Sequence, residues 1–235
     1  MNSSINRALM ALALMASLAV PLSADTKECD RVDNAGKVMK EIMDIPDDIP
    51  QTVIDKAYCV VVLPSVLKLA FVFGASYGRG VMTCRSGSDF RGPWGAPTMM
   101  ALEGGSFGLQ LGGQATDFVL LLMNERAADS ILTSKVKLGG DASAAAGPVG
   151  RNTSAETDIT LRAQVLSYSR ARGLFAGISL VGSTLRPDNS ANTGLYGKAI
   201  DSKDVVLNGK VPAPACAKLL IATLNERSPK NLSGD

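Results

Sequence analysis

Residues 58–123 break into short apolar runs punctuated by glycine: "YCVVVLP", "LAFVFGASYGRGVMTCR", "PTMMALEGG", "SFGLQLGG" and "TDFVLLLM". Runs this short, with interior glycines that imply bulges or close backbone approaches, predict a twisted, mostly antiparallel sheet. The flanks carry a helical period instead. "CDRVDNAGKVMKEIMD" sets Val32, Met39, Ile42 and Met43 near helical spacing, with Arg31, Lys37 and Lys40 among the polar positions, which is the pattern of an amphipathic helix over residues 29–44. "IPDDIP" ends it, because Pro46 and Pro50 remove donors and restrict the residues before them.

A short helix is predicted over residues 124–133, then strand-like runs at 135–138, 141–146, 160–167 and 173–181. "PDNSANTGLYGKAI" reads as a loop with a short helix, "DVVLNG" as a strand and turn, and "PAPACAKLLIATLNERS" as a terminal helix opening after Pro214. Strands in the middle with helices at both ends predict an α+β fold in one domain, its mostly antiparallel sheet flanked by N- and C-terminal helices.

The first residues have one early cation, Arg7, an apolar run from Ala8 to Val20, Pro21, and the small residues Ser23 and Ala24. This is the layout of a secretory signal, with cleavage expected after Ala24 and the domain running over residues 25–235. Cys29 follows Thr26, Lys27 and Glu28 rather than small residues, which disfavours a lipid anchor. In an exported chain, the four cysteines Cys29, Cys59, Cys84 and Cys216 suggest two disulfides among three connectivities. The pairing favoured here is Cys59 with Cys84 and Cys29 with Cys216, tying neighbouring strands and the two chain ends; free buried cysteines are the alternative.

With 24 basic and 22 acidic residues the chain is close to neutral, which argues against nucleic acid as a partner. It contains no histidine, so Ser-His-Asp and Cys-His nucleophilic sites and imidazole-bound metals are ruled out. "GASYGRG", "EGGSFGLQLGG" and "GLYGKA" lack the order of a dinucleotide or phosphate loop, and no cofactor is expected. The carboxylates Asp47, Asp48, Asp188, Asp201 and Asp204 fall in predicted turns, where acids serve local hydrogen bonding. The helix at 29–44 is the better functional candidate: its apolar stripe could lie in a head-group boundary, or pack on the protein's own sheet.

The blocks "AYCVVVLPSVLKLAFVFGASYGRGVMTCR", "GGSFGLQLGGQATDFVLLLMNE", "GGDASAAAGPVGR" and "LSYSRARGLFAGISLVGSTL", followed by "NTGLYG", together resemble the SYLF domain family over about residues 28–226. The resemblance implies a non-enzymatic, lipid-binding domain. Eukaryotic relatives join it to SH3 or FYVE modules, bind phosphoinositides through a basic N-terminal amphipathic helix, and in some cases bind actin filaments. This chain looks like a stand-alone, exported bacterial form, periplasmic or secreted and associated with the outer membrane, for which anionic phospholipid head groups are the expected partner. Carried over, the family's helix places Arg31, Lys37 and Lys40 at head groups, although interspersed acids dilute its charge. The signature at Ser167–Phe175 adds Arg170 and Arg172, each able to hold a lipid phosphate or to pair with Asp117, Asp141 or Asp158. Tyr168 and Phe175 are expected in the core. The rival reading is an envelope protein that docks another protein.

Overall fold

In β1 (Cys59–Ala70) Val60 and Val62 point to one side of the sheet and Cys59, Val61 and Leu63 to the other, and all five are fully buried. A strand apolar on both sides needs cover on both sides. The computed structural model, which describes residues 26–45, 49–70, 73–87, 89–107, 112–149, 163–171, 174–177, 180 and 182–233, supplies it as three layers. The predicted signal at 1–24 lies outside the described residues.

The described strands form one sheet. β1, β2 (Phe73–Cys84), β3 (Thr98–Phe107) and β4 (Gly112–Leu122) are the long central strands. β5 (Val136–Lys137), β6 (Ala144–Ala146), β7 (Val165–Ala171), β8 (Leu174–Gly177) and β9 (Ser183–Pro187) extend it. The order is β5-β9-β3-β2-β1-β4-β7-β6, with β8 also on β7, and among the described strands β6–β7 is the one parallel pair. The α+β class and the mostly antiparallel sheet are as the sequence predicts.

One face is covered by α1 (Thr26–Met43), α2 (Gln51–Ile54), α4 (Asn189–Tyr196), a 3-10 turn (Ala215–Ala217) and α6 (Lys218–Arg227), which close over Val60, Val62, Val119, Leu121 and Tyr168. The other face is covered by α3 (Glu125–Thr133) and α5 (Ser202–Val206), against Val61, Leu63, Phe118 and Leu120. Two elements depart from the sequence reading. "DVVLNG" contributes to a helix, α5, not a strand: Val205 and Val206 are both buried there, and packing overrides their β-preference. "PTMMALEGG" and the start of "SFGLQLGG" join into the single strand β3, which runs through Gly104 and Gly105.

Cys59 pairs with Cys84 and Cys29 with Cys216. The first joins directly opposed residues of β1 and β2; the second ties α1 to the turn before α6. The two helices approach so closely at Gly36 that a β-carbon there would lie 2.9 Å from the Leu220 amide nitrogen, a spacing only glycine meets.

Candidate functional site

α1 lies against the sheet with its apolar stripe inward. Val32, Ala35, Val38, Met39, Ile42 and Met43 are all buried in the core. Of the two fates open to this stripe from sequence, it packs on the protein's own sheet. Most of its charges face outward, Glu28 being buried, and Arg31, Lys37 and Lys40 are each paired with an acid. Arg31 meets Glu28 one turn back. Lys37 (57 % exposed) lies 2.7 Å from Asp33, whose hydrogen bond and charge hold its pKa above the ordinary value. Lys40 (55 % exposed) lies 2.6 Å from Asp44, which also takes Arg227 at 2.7 Å.

Two ion networks sit under the two ends of α1. At its C-terminal end Arg170 of β7 lies opposite Asp117 of β4 and donates to Asp117 Oδ2 from Nε at 3.2 Å and Nη2 at 2.8 Å. A further Arg170 nitrogen reaches Glu41 of α1. Of the partners weighed from sequence, Asp117 is therefore the one found. Asp141 instead accepts from the Lys137 amide, and Asp158 and Arg172 lie outside the described residues. Burial lowers the pKa of Arg170, but the bonds to Asp117 and Glu41 outweigh it and leave the value raised.

Asp117 also fixes a kink. β1 carries an irregularity, between Val62 and Leu67 against β2 and between Leu63 and Val66 against β4, with Ser65 at φ +51°, and the Ser65 amide donates to Asp117 Oδ1 at 2.8 Å. A positive φ is uncommon outside glycine, and this anchor is part of what holds it. On the other flank Arg79 of β2 meets Asp188 at 3.0 Å and donates to the Tyr77 hydroxyl at 2.7 Å, while Arg186 of β9 donates to Glu103 Oε1 at 3.0 and 2.6 Å. The Arg186 bonds hold the Glu103 carboxyl below the usual carboxylate range. Asp188, read from sequence as a turn residue, caps α4 by accepting from the Ala191 amide. Asp204 binds Asn208 and Lys210 locally, and Asp47 and Asp48 lie outside the described residues.

Beyond these networks the four central strands continue, and there two large apolar side chains stand in solvent. Leu67 is 54 % and Tyr77 46 % exposed, and they are direct cross-strand partners. Ala75 and Ala115 beside them are exposed too.

Tyr168 is wholly buried, as expected of a core aromatic; Phe175 stands in β8. The Tyr168 ring lies over Gly147 so closely that a methyl there would fall on it, so the glycine of "AAAGPVG" and the tyrosine of "LSYSRARG" form one packed unit. Asn192 of "NTGLYG" is also internal. It accepts from the Met99 amide at 2.7 Å and donates to Thr98 and Ser202 at 2.8 and 3.0 Å, joining β3, α4 and α5.

Sequence reasoning missed Arg85. It is fully buried, its guanidinium lies 4.4 Å from the centre of the Trp94 ring, and it donates to the Ala57 carbonyl and to the carbonyl and hydroxyl of Ser228. Burial pulls its pKa down to about 10. It fastens the end of α6 to the sheet, and a cation directly after a strand cysteine gave no hint of that.

A family model described as Ysc84, Las17-binding protein actin regulator, matches residues 103–227. The chain belongs to the SYLF (Ysc84) family. Relatives include an SH3 domain-containing protein of Schizosaccharomyces pombe, 36 % identical over 217 residues, covering 88 % of this chain and 49 % of that protein. Protein YSC84 of Saccharomyces cerevisiae is 32 % identical over 210 residues, 88 % and 44 % of the two chains. The SH3 domain-containing YSC84-like protein 1 of Mus musculus is 36 % identical over 203 residues, 83 % and 58 %. The chain spans about half the length of these SYLF-family relatives.

Proposed function

We propose that this SYLF domain is a non-enzymatic module that binds phospholipid at an anionic membrane surface, exported to the periplasm or beyond. The observation that carries the reading is the disposition of α1. Its apolar side is wholly taken up by the core, so the helix offers a membrane only its outward charges, Lys37 and Lys40 foremost. Both sit in exposed, solvent-screened ion pairs of the kind that contribute little, so exchanging Asp33 or Asp44 for a lipid phosphate costs little. The alternating signs along this face favour any anionic surface over one particular phosphoinositide.

Two disulfides support an oxidising compartment. The non-enzymatic reading is supported by the sequence, which contains no histidine for a Ser-His-Asp or Cys-His site. Charge reversal at Lys37 and Lys40 is the test. Weaker binding to anionic vesicles at unchanged stability is the expected result, and an unchanged lipid profile would overturn it.

A second reading has its own support. The matched family model is described by Las17 binding, and several relatives are named for SH3 domains, so a protein partner docking on the sheet is the alternative. An unchanged lipid profile in the charge-reversed variant favours it.

A further inference from the structure

The charges of the four central strands run out toward the hairpin ends: Glu103 stands in the Leu67–Tyr77 row, Arg79 and Asp117 two residues short of it, and Lys68 one residue past it, opposite Ser76 and Gln114. Lys68, Arg79, Glu103 and Asp117 are the last ionic residues of β1 to β4 on the way to the hairpin ends. The described stretches past each strand's last charge, 69–70, 73–76, 104–107 and 112–116, read LA, FGAS, GGSF and GGQAT, with Lys68 at their border. Backbone register brings them to one end of the sheet: Ala70 faces Gly74 and Gly112, and Phe73 faces Phe107. At the base of this end stand the exposed pair Leu67 and Tyr77. The arginines nearest them are already engaged by acids, Arg79 by Asp188, Arg186 by Glu103 and Arg170 by Asp117.

We infer that this uncharged sheet end is the part of the molecule that enters a phospholipid bilayer, with Leu67 and Tyr77 at the interface. The inference rests on the reading that the protein meets a membrane, but not on α1 being the point of contact. Geometry sets the depth. From the Tyr77 row to Phe73 is four residues, about 13 Å at strand rise, enough for the boundary between head groups and acyl chains but far short of the roughly 30 Å hydrocarbon core.

The backbone sets the same limit. β9 leaves β3 at Gly104 and β7 leaves β4 at Asp117, so past those points each outer strand has one edge outside the ladder among the described residues. Unpaired backbone groups are tolerated where water and head groups reach them, not in hydrocarbon. A phenol beside a leucine suits that boundary, since the ring sits among chain ends and its hydroxyl stays among polar groups.

This contact draws on apolar burial, so it persists at high salt and on neutral phosphatidylcholine vesicles, where an α1 contact with phosphates fades. The test measures co-sedimentation of the full chain with phosphatidylcholine vesicles, with and without phosphatidylglycerol, at low and high salt, for Leu67→Asp and Tyr77→Asp. Leu67→Trp is read alongside by quenching from lipids brominated in the acyl chains, above the Trp94 background. Expected are a loss of about tenfold or more in affinity for each aspartate, near-UV circular dichroism unchanged, and strong quenching at position 67. Should Tyr77→Asp disturb folding through its bond to Arg79, the Leu67 variants carry the test alone.

Undiminished binding by Leu67→Asp together with an unquenched tryptophan overturns the inference while leaving the membrane reading intact. Salt-resistant binding without preference for anionic lipid overturns the headgroup reading and leaves the sheet end standing, and no binding to either vesicle sinks both. A dimer in sedimentation velocity that Leu67→Asp dissociates, with no quenching, assigns the surface to a second copy through its open edges and overturns the inference as well.

Discussion

Arg170 offers a sharp choice between an internal bolt and a phosphate ligand, and replacing it by alanine separates the two. The substitution removes two charge-assisted hydrogen bonds to Asp117 and the contact with Glu41. Glu41 is 58 % exposed and its loss costs little. Asp117 is mostly buried and keeps only the Ser65 amide at 2.8 Å among its described bonds, so its charge is left poorly compensated at the kink of β1. Charge-assisted bonds contribute roughly 1.5–3 kcal/mol each and are partly redundant here, so Arg170→Ala should destabilise by about 2–3 kcal/mol. Asp117→Ala should cost a similar amount. The double variant should cost less than the sum by about 1–2 kcal/mol, the signature of a direct pair. Urea unfolding followed by far-UV circular dichroism gives the four stabilities, and vesicle co-sedimentation below the unfolding transition gives binding. An Arg170→Ala protein of full stability that has lost anionic vesicles would refute this reasoning.

Three further outcomes follow from the same geometry. The Cys29–Cys216 link closes a sequence separation of 187 residues and Cys59–Cys84 one of 25; chain entropy then gives ceilings of about 5 and 3.5 kcal/mol, so removing the first pair should lower the urea midpoint more. Gly147→Ala should destabilise by about 1–3 kcal/mol, because the Tyr168 ring is buried and has no room to retreat; calorimetric melting shows it, and an unchanged melting temperature contradicts the packing. Glu103 has its pKa lowered from 4.5 in the folded state, so the pairing with Arg186 stabilises fully above about pH 4.5 and the benefit disappears as pH falls through the lower folded value. The melting difference between wild type and Glu103→Gln should therefore be small but measurable at pH 7, given its partial exposure, and shrink in acid. A difference that grows in acid would reverse the sign.

Much of the fold is legible in local pattern. The helical period at 29–44, the glycine-broken runs of 58–123 and the terminal helix after Pro214 each correspond to an element, because periodicity and backbone punctuation act locally. The favoured disulfide pairing is the one found, although four cysteines alone leave three connectivities open and only the β1–β2 register and the α1–α6 packing decide among them. What escaped was decided by tertiary contact. Val205 and Val206 favour a strand, yet α5 buries them both. The Arg85 site is assembled from residues as distant as Ala57 and Ser228. For α1 the period identified an apolar stripe without saying what it faces, since a bilayer and a sheet demand the same pattern. For Arg170 a lipid phosphate and the acids Asp117, Asp141 and Asp158 are all open from sequence, and choosing Asp117 requires the β4–β7 register.

Co-sedimentation of the purified protein with neutral and anionic vesicles, at low and high salt, bears most directly on the membrane reading. The account predicts binding to both vesicle types, stronger to the anionic one at low salt, with a salt-resistant remainder on neutral lipid. Protein left entirely in the supernatant with both vesicle types would contradict it.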